Sequence, residues 1–156
     1  MNIIDAFKQF LKCNGIPFVE KTPAIHFQIN GDEYAFSKRG DDLLEIWLLN
    51  LCDTSNASKD ELPDIFDAIN DLNHRYSLAK ILLVDNIIHI VAHTIISPNI
   101  LIDRYIKILI SQITTMRNQV IEDPFNGLNE FVLRKKSRAG GNDFVIDRSK
   151  IIPHQQ

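Results

Sequence analysis

The stretch Ile25-His26-Phe27-Gln28-Ile29-Asn30-Gly31-Asp32-Glu33-Tyr34-Ala35-Phe36-Ser37 sets the architecture. Apolar and polar residues alternate on both sides of Asn30-Gly31-Asp32, the period of a half-buried strand. A two-residue turn, at Asn30-Gly31 or at Gly31-Asp32, folds the two runs into a hairpin. Either turn places Ile25, Phe27, Ile29, Tyr34 and Phe36 on one face and His26, Gln28, Glu33 and Ser37 on the other, which is expected to be solvated.

A third strand follows at residues 43–51. Leu44, Ile46 and Leu48 alternate with Trp47, Leu49 and Leu51, so both faces are apolar and the strand belongs in the middle of a sheet. A second hairpin covers residues 80–84 and 87–96 around the turn Asp85-Asn86. Pairing Val84 with Ile87 gathers Ile81, Leu83, Ile88, Ile90, Ala92 and Ile96 on a core face. The opposite face carries Lys80, Leu82, Val84, Ile87, His89, Val91, His93 and Ile95, which is too apolar for a plain solvent face.

Three helices complete the pattern. Ile3, Ile4, Phe7, Phe10 and Leu11 recur at helical spacing before the stop Asn14-Gly15 and Pro17. Ser58-x-x-Glu61 has the form of a capping box, with Asp60 as a rival cap and Pro63 tolerated in the first turn. Behind it lies the stripe Leu62, Ile65, Phe66, Ile69, Leu72, Asn73 and Tyr76. Ser97-Pro98 opens a long helix over residues 100–120, with Leu101, Tyr105, Ile108, Leu109, Ile113, Met116 and Val120 expected to face inward. The connections are too short for parallel crossovers, so the expected class is α+β, an antiparallel five-stranded sheet in the order α-β-β-β-α-β-β-α. Residues 1–126 read as one domain. Residues 127–156 read as a basic tail in which Phe144-Val145-Ile146 either stays flexible or adds a strand.

The chain has 156 residues, 45% hydrophobic and 24% charged, which suits one globular domain that buries a core without disulfides or metal. Net charge is -3, so the whole-chain field favours neither nucleic acid nor anionic membranes. Its distribution is uneven. Residues 127–156 hold six basic residues against three acids, and residues 1–126 hold eleven against seventeen. Cys13 and Cys52 are isolated, with no framework spacing, which fits a reducing cytoplasm. No apolar run has the length of a signal peptide core or a membrane span.

Few residues suggest chemistry. His89 and His93 stand four apart, a zinc-ligand separation only on a helix. On a strand that spacing spans about 13 Å, too far for two rings to share one ion at about 2.0–2.1 Å. No strained serine elbow is present. Cys13 sits at a helix C-terminus, where the dipole opposes a thiolate, and Cys52 has no assignable partner histidine. Gly140-Gly141 lacks a Walker lysine and reads as a joint. Arg134, Lys135, Lys136 and Arg138 form a basic patch able to meet phosphates, but Phe131 alone lies near for stacking. No catalytic residue, metal or cofactor is expected, and the chain does not read as an enzyme.

The helix Ile69-Asn70-Asp71-Leu72-Asn73, the strand Lys80-Ile81-Leu82-Leu83-Val84 and the turn Asp85-Asn86, set in this element order, resemble the YbjN-type branch of the type III secretion chaperone-like superfamily. The resemblance covers about residues 2–121. It implies an antiparallel sheet with packed helices, dimerisation, no known catalysis, and a regulatory or chaperone-like role in bacteria. Asn70 and Asn73 share a helix face near its end, where side-chain amides bond neighbouring backbone, and their expected role is structural.

The functional expectation is a cytoplasmic, non-enzymatic protein-binding module, chaperone-like or regulatory, and a homodimer. Trp47, Leu49, Leu51, His89, Val91, His93 and Ile95 form the candidate partner or dimer surface, because apolar second faces mark interfaces. An additional covering helix is the structural alternative for that face. A regulator acting on nucleic acid through the basic tail is the alternative function.

Overall fold

Six strands form one antiparallel sheet in the computed structural model, which describes residues 2–97, 101–123 and 126–133. In chain order they are β1 (Phe18–Lys21), β2 (Ala24–Ile29), β3 (Asp32–Arg39), β4 (Leu43–Asp53), β5 (Ala79–Val84) and β6 (Ile87–Ile95). Their spatial order is β1-β2-β3-β4-β6-β5. Three α-helices lie among the described residues: α1 (Ile3–Cys13), α2 (Leu62–Arg75) and α3 (Ile102–Glu122). The class is α+β, but the sheet has six strands rather than five, and the order begins α-β-β-β-β. The additional strand is β1, which pairs with β2 from Phe18 opposite Phe27 to Lys21 opposite Ala24. Its four residues sit between Pro17 and Pro23 and carry too few alternations to register as a period.

Both hairpins turn on residues that tolerate a left-handed backbone. Ile29 pairs with Asp32, so the first turn is Asn30-Gly31, with φ of 52° and 82°. Val84 pairs with Ile87 around Asp85 and Asn86, at φ 50° and 66°. Positive φ at both central positions gives the turn twist that matches paired strands, which explains Asn, Asp and Gly there.

The helices pack on one side of the sheet. Phe7, Phe10 and Leu11 of α1, Ile65, Ile69 and Leu72 of α2, and Ile106, Leu109, Ile113, Met116 and Val120 of α3 join a single core. From the sheet come Ile25, Phe27, Tyr34, Phe36, Leu44, Ile46, Leu48, Ile81, Ile88, Ile90 and Ala92. Phe7 stacks on Phe36 with ring centroids 4.1 Å apart. The phase of α3 differs from the expected one. Leu101 and Ile108 are exposed, 76% and 49%, whereas Ile106 is buried. Ile108 lies about 100° around the helix from Leu109, which rotates it out of the stripe 106-109-113-116-120. In α2, Phe66 is likewise exposed.

Helix starts follow side-chain chemistry. Asp5 N–H donates to Asn2 Oδ1 at 2.8 Å, capping α1. Ser58 N–H donates to Glu61 Oε1 at 2.9 Å, and Glu61 N–H to Ser58 Oγ at 3.2 Å. The reciprocal Ser58–Glu61 bonds therefore close a turn just ahead of α2, while the N-cap of the helix is Glu61, without a side-chain cap hydrogen bond, and neither Ser58 nor Asp60 caps it. At its other end α2 is tied to the edge strand β5. Ile81 N–H donates to Asn73 Oδ1 at 2.6 Å, and Asn73 Nδ2 donates to Ile81 O at 3.0 Å. Lys80 Nζ donates to Asn73 O at 2.6 Å and to Tyr76 O, closing the last turn of the helix. Asn73 thus has the structural role expected of it; Asn70 is exposed.

The packed part of the chain continues past Gly127. A 3-10 turn, Leu128–Phe131, buries Leu128 against the core, and Val132 bridges Cys52. Leu133 N–H then donates to Leu51 O at 2.9 Å. Packing thus extends beyond the boundary read at residue 127, through Leu133. Pro98, Ile100, Pro124, the patch Arg134, Lys135, Lys136 and Arg138, Gly140-Gly141 and Phe144-Val145-Ile146 lie outside the described residues.

Candidate functional site: the helix-free face of the sheet

Strand alternation sends every second residue of β2, β3, β4, β5 and β6 to the side away from the helices. Register carries one row across the sheet there: Val19, His26, Ala35, Trp47, Val91 and Lys80. A neighbouring row runs Ala24, Ser37, Glu45 and His93. Ala35, Trp47, Leu49 and Val91 form a second apolar cluster, separate from the core under the helices.

Polar groups bracket that cluster. Trp47 Nε1–H donates to Glu45 Oε1 at 2.8 Å, and Arg39 Nε stands 3.5 Å from the same oxygen. The indole is thereby held to the strand by a charge-assisted hydrogen bond. His89 is fully buried, with its ring centroid 6.2 Å from that of Trp47 and the planes at 65°. Asn50 N–H donates to His89 Nδ1 at 2.9 Å, so Nδ1 is the accepting nitrogen. Asn50 itself adopts φ 57°, and the β4–β6 register shifts between Leu48 and Cys52. This is a bulge.

The bulge alters one member of the expected surface. Leu51 leaves the Trp47 face and joins the core under the helices, because the extra residues reset the alternation. Trp47, Leu49, His89 and Val91 come together as anticipated, but they are buried rather than open. His93 and Ile95 lie on the same face and are exposed. Glu45, Asn50 and Arg39 were not singled out from the sequence, and His26 and Ser37, expected on a solvated face, are buried. Glu45 was findable, being two residues from Trp47 on a strand and therefore on its face. Asn50, the one polar residue in Leu48-Leu49-Asn50-Leu51-Cys52, is the mark of a left-handed bulge position.

Other chemistry is muted. Cys52 is buried, its Sγ 3.8 Å from Leu128 O, and burial pushes its thiol up to about 12. Burial, joined by the Asp32 carboxylate, likewise raises the Tyr34 hydroxyl to about 12. Among the described residues, no group of three or more His, Cys, Asp or Glu side chains is placed to hold a metal. No described helix is long and apolar enough to cross a membrane.

The sequence matches no family model and no curated protein. Solved structures do match the fold. One is YbjN from E. coli, described as a proposed transcription regulator, at 13% identity and a TM-score of 0.60 over 84% of this chain and 96% of that one. At that identity the likeness is one of fold, and the fold of this chain is the YbjN type.

Proposed function

We propose that the chain is a non-enzymatic protein-binding module, chaperone-like or regulatory, that receives a segment of a partner protein on the helix-free face of its sheet, and that it works as a cytoplasmic homodimer. The observation carrying this reading is the apolar centre Trp47, Leu49 and Val91, built on the side of the sheet opposite all three described helices. An aromatic centre with a polar rim is the anatomy of an interface. Val19, Leu82 and Ile95 extend it as exposed apolar side chains. The edge strand β1 offers backbone to an added strand.

A photo-crosslinking amino acid placed at His93 tests this in cells. It captures one protein partner, whereas the same group at Arg104, exposed on α3, does not. Equal capture from both positions, or capture from Arg104 alone, contradicts the reading.

The description of the YbjN structure as a proposed transcription regulator favours a second reading, in which Arg134, Lys135, Lys136 and Arg138 contact nucleic acid. That reading requires DNA affinity that falls steeply with salt and is lost when these four residues become Gln.

A further inference from the structure

The sheet ends in two edge strands, β5 and β1. The edge at β5 is taken. Ile81 gives its N–H and its C=O to the Asn73 amide, and Lys80 ties the same strand to the end of α2. The edge at β1 is open. Among the described residues β1 pairs with β2, Val19 is 55% exposed, and Glu20 and Lys21 are exposed beside it.

Strand geometry decides which backbone groups that edge presents. Ile29 and Asp32 close the two-residue turn Asn30-Gly31, so they exchange both backbone hydrogen bonds. Alternation along β2 then points the backbone of Ile25 and Phe27 at β3, and that of Ala24 and His26 at β1. Lys21 and Val19, opposite Ala24 and His26, are thus bonded inward. Phe18 and Glu20 direct their N–H and C=O groups outward.

Such a row of free donors and acceptors is a template for another strand. A second copy of β1 fits it in one antiparallel register. Phe18 faces Glu20 of the second copy, Glu20 faces its Phe18, and Val19 faces its Val19 across a twofold axis. Every outward backbone group of Phe18 and Glu20 is then bonded. Lys21 faces Pro17 at a position bonded inward, so the missing N–H of the proline costs nothing there. The neighbouring registers fail. One sets Glu20 against Glu20, like charges directly opposite. The other sets Glu20 against Ile16, whose N–H is already given to Leu11 O.

We propose that two copies of this chain join β1 to β1 in that register and form one continuous sheet. This locates the homodimer of the proposed function and rests on that reading. Val19 stands in the row of His26, Ala35, Trp47 and Val91, so the seam also joins the two helix-free faces. At about 4.8 Å per strand, the two Trp47 centres lie about 33 Å apart on one surface.

Disulfide trapping tests the register. Val19→Cys is made in a Cys13→Ser background, where the other thiol, Cys52, is buried. Directly opposed residues of this kind have Cα atoms about 4.5 Å apart, within disulfide range. Lys21→Cys, exposed on the same face of β1, is the control, since its two copies stand about 13 Å apart along the seam. Mild oxidation is expected to link Val19→Cys into a dimer and to leave Lys21→Cys monomeric on a non-reducing gel. In light scattering across a concentration series, Val19→Asp raises the dimer dissociation constant about tenfold or more. Ile95→Asp, on the same face but on β6, leaves it at the wild-type value, and circular dichroism checks the folding of each variant. No linked dimer from Val19→Cys, equal linking from both cysteine variants, or unaltered dissociation in Val19→Asp overturns the seam. If the wild type is still dimeric in that event, the homodimer stands and forms elsewhere; a wild type monomeric at every concentration overturns both. Partner capture from His93 is read separately and survives either failure.

Discussion

Asn73→Ala isolates the tie between α2 and the edge of the sheet. Both backbone groups of Ile81 are directed off the sheet edge and into one side-chain amide, at 2.6 and 3.0 Å. Each such bond contributes about 0.5–1.5 kcal/mol net, so removing two costs about 1–3 kcal/mol. With a urea dependence of about 1–3 kcal/mol per M, the unfolding midpoint falls by about 1 M while the slope holds. Asn70→Ala, at an exposed position of the same helix, is the control and stays within about 0.5 kcal/mol. Lys80→Met keeps the aliphatic stem but withdraws the ammonium from Asn73 O and Tyr76 O. Because Lys80 and Asn73 act on the same turn, the double variant departs from additivity by about 0.5 kcal/mol or more. The assay is equilibrium urea unfolding followed by circular dichroism. An Asn73→Ala midpoint indistinguishable from that of Asn70→Ala refutes the reasoning, since the amide would then contribute nothing to holding β5.

Ile113→Ala, fully buried in α3, costs about 2–5 kcal/mol, whereas Ile108→Ala stays within about 0.5 kcal/mol; thermal unfolding of the pair checks the helix phase. A thiol reagent at pH 8 labels the exposed Cys13 at once and reaches the buried Cys52 only in denaturant, so the native count is one thiol per chain. Tyr34 keeps its proton to about pH 12 when folded but loses it near 10 when unfolded. The native state then binds more protons between those values, and stability falls as pH rises through that window. In Tyr34→Phe this part of the fall is absent from urea midpoints measured across the window.

Much of the fold could be read from residue pattern alone. Alternation gave the faces of both hairpins, and Ser58-x-x-Glu61 marked the approach to α2 because its reciprocal bonds are local chemistry. The misses share a cause. β1 is too short to show a period and exists because β2 offers it an edge. The α3 stripe was read through Leu101 and Ile108, since isoleucine and leucine occupy neighbouring stripes and only packing chooses between them. Leu51 changed sides because one left-handed Asn50 shifts everything after it. On the candidate face, Trp47, Leu49, His89 and Val91 were placed together by parity. Their burial was beyond parity, which assigns a face but not what lies on it.

The most direct test of the helix-free face as the binding surface compares two exposed isoleucines in the full-length chain. Ile95→Asp places a charge on that face, and Ile108→Asp places the same charge on the outer side of α3. Affinity for the partner captured from His93 is measured for both by titration calorimetry. The proposed function predicts loss of binding in Ile95→Asp and wild-type affinity in Ile108→Asp. The reverse order, or equal affinity in both, contradicts it.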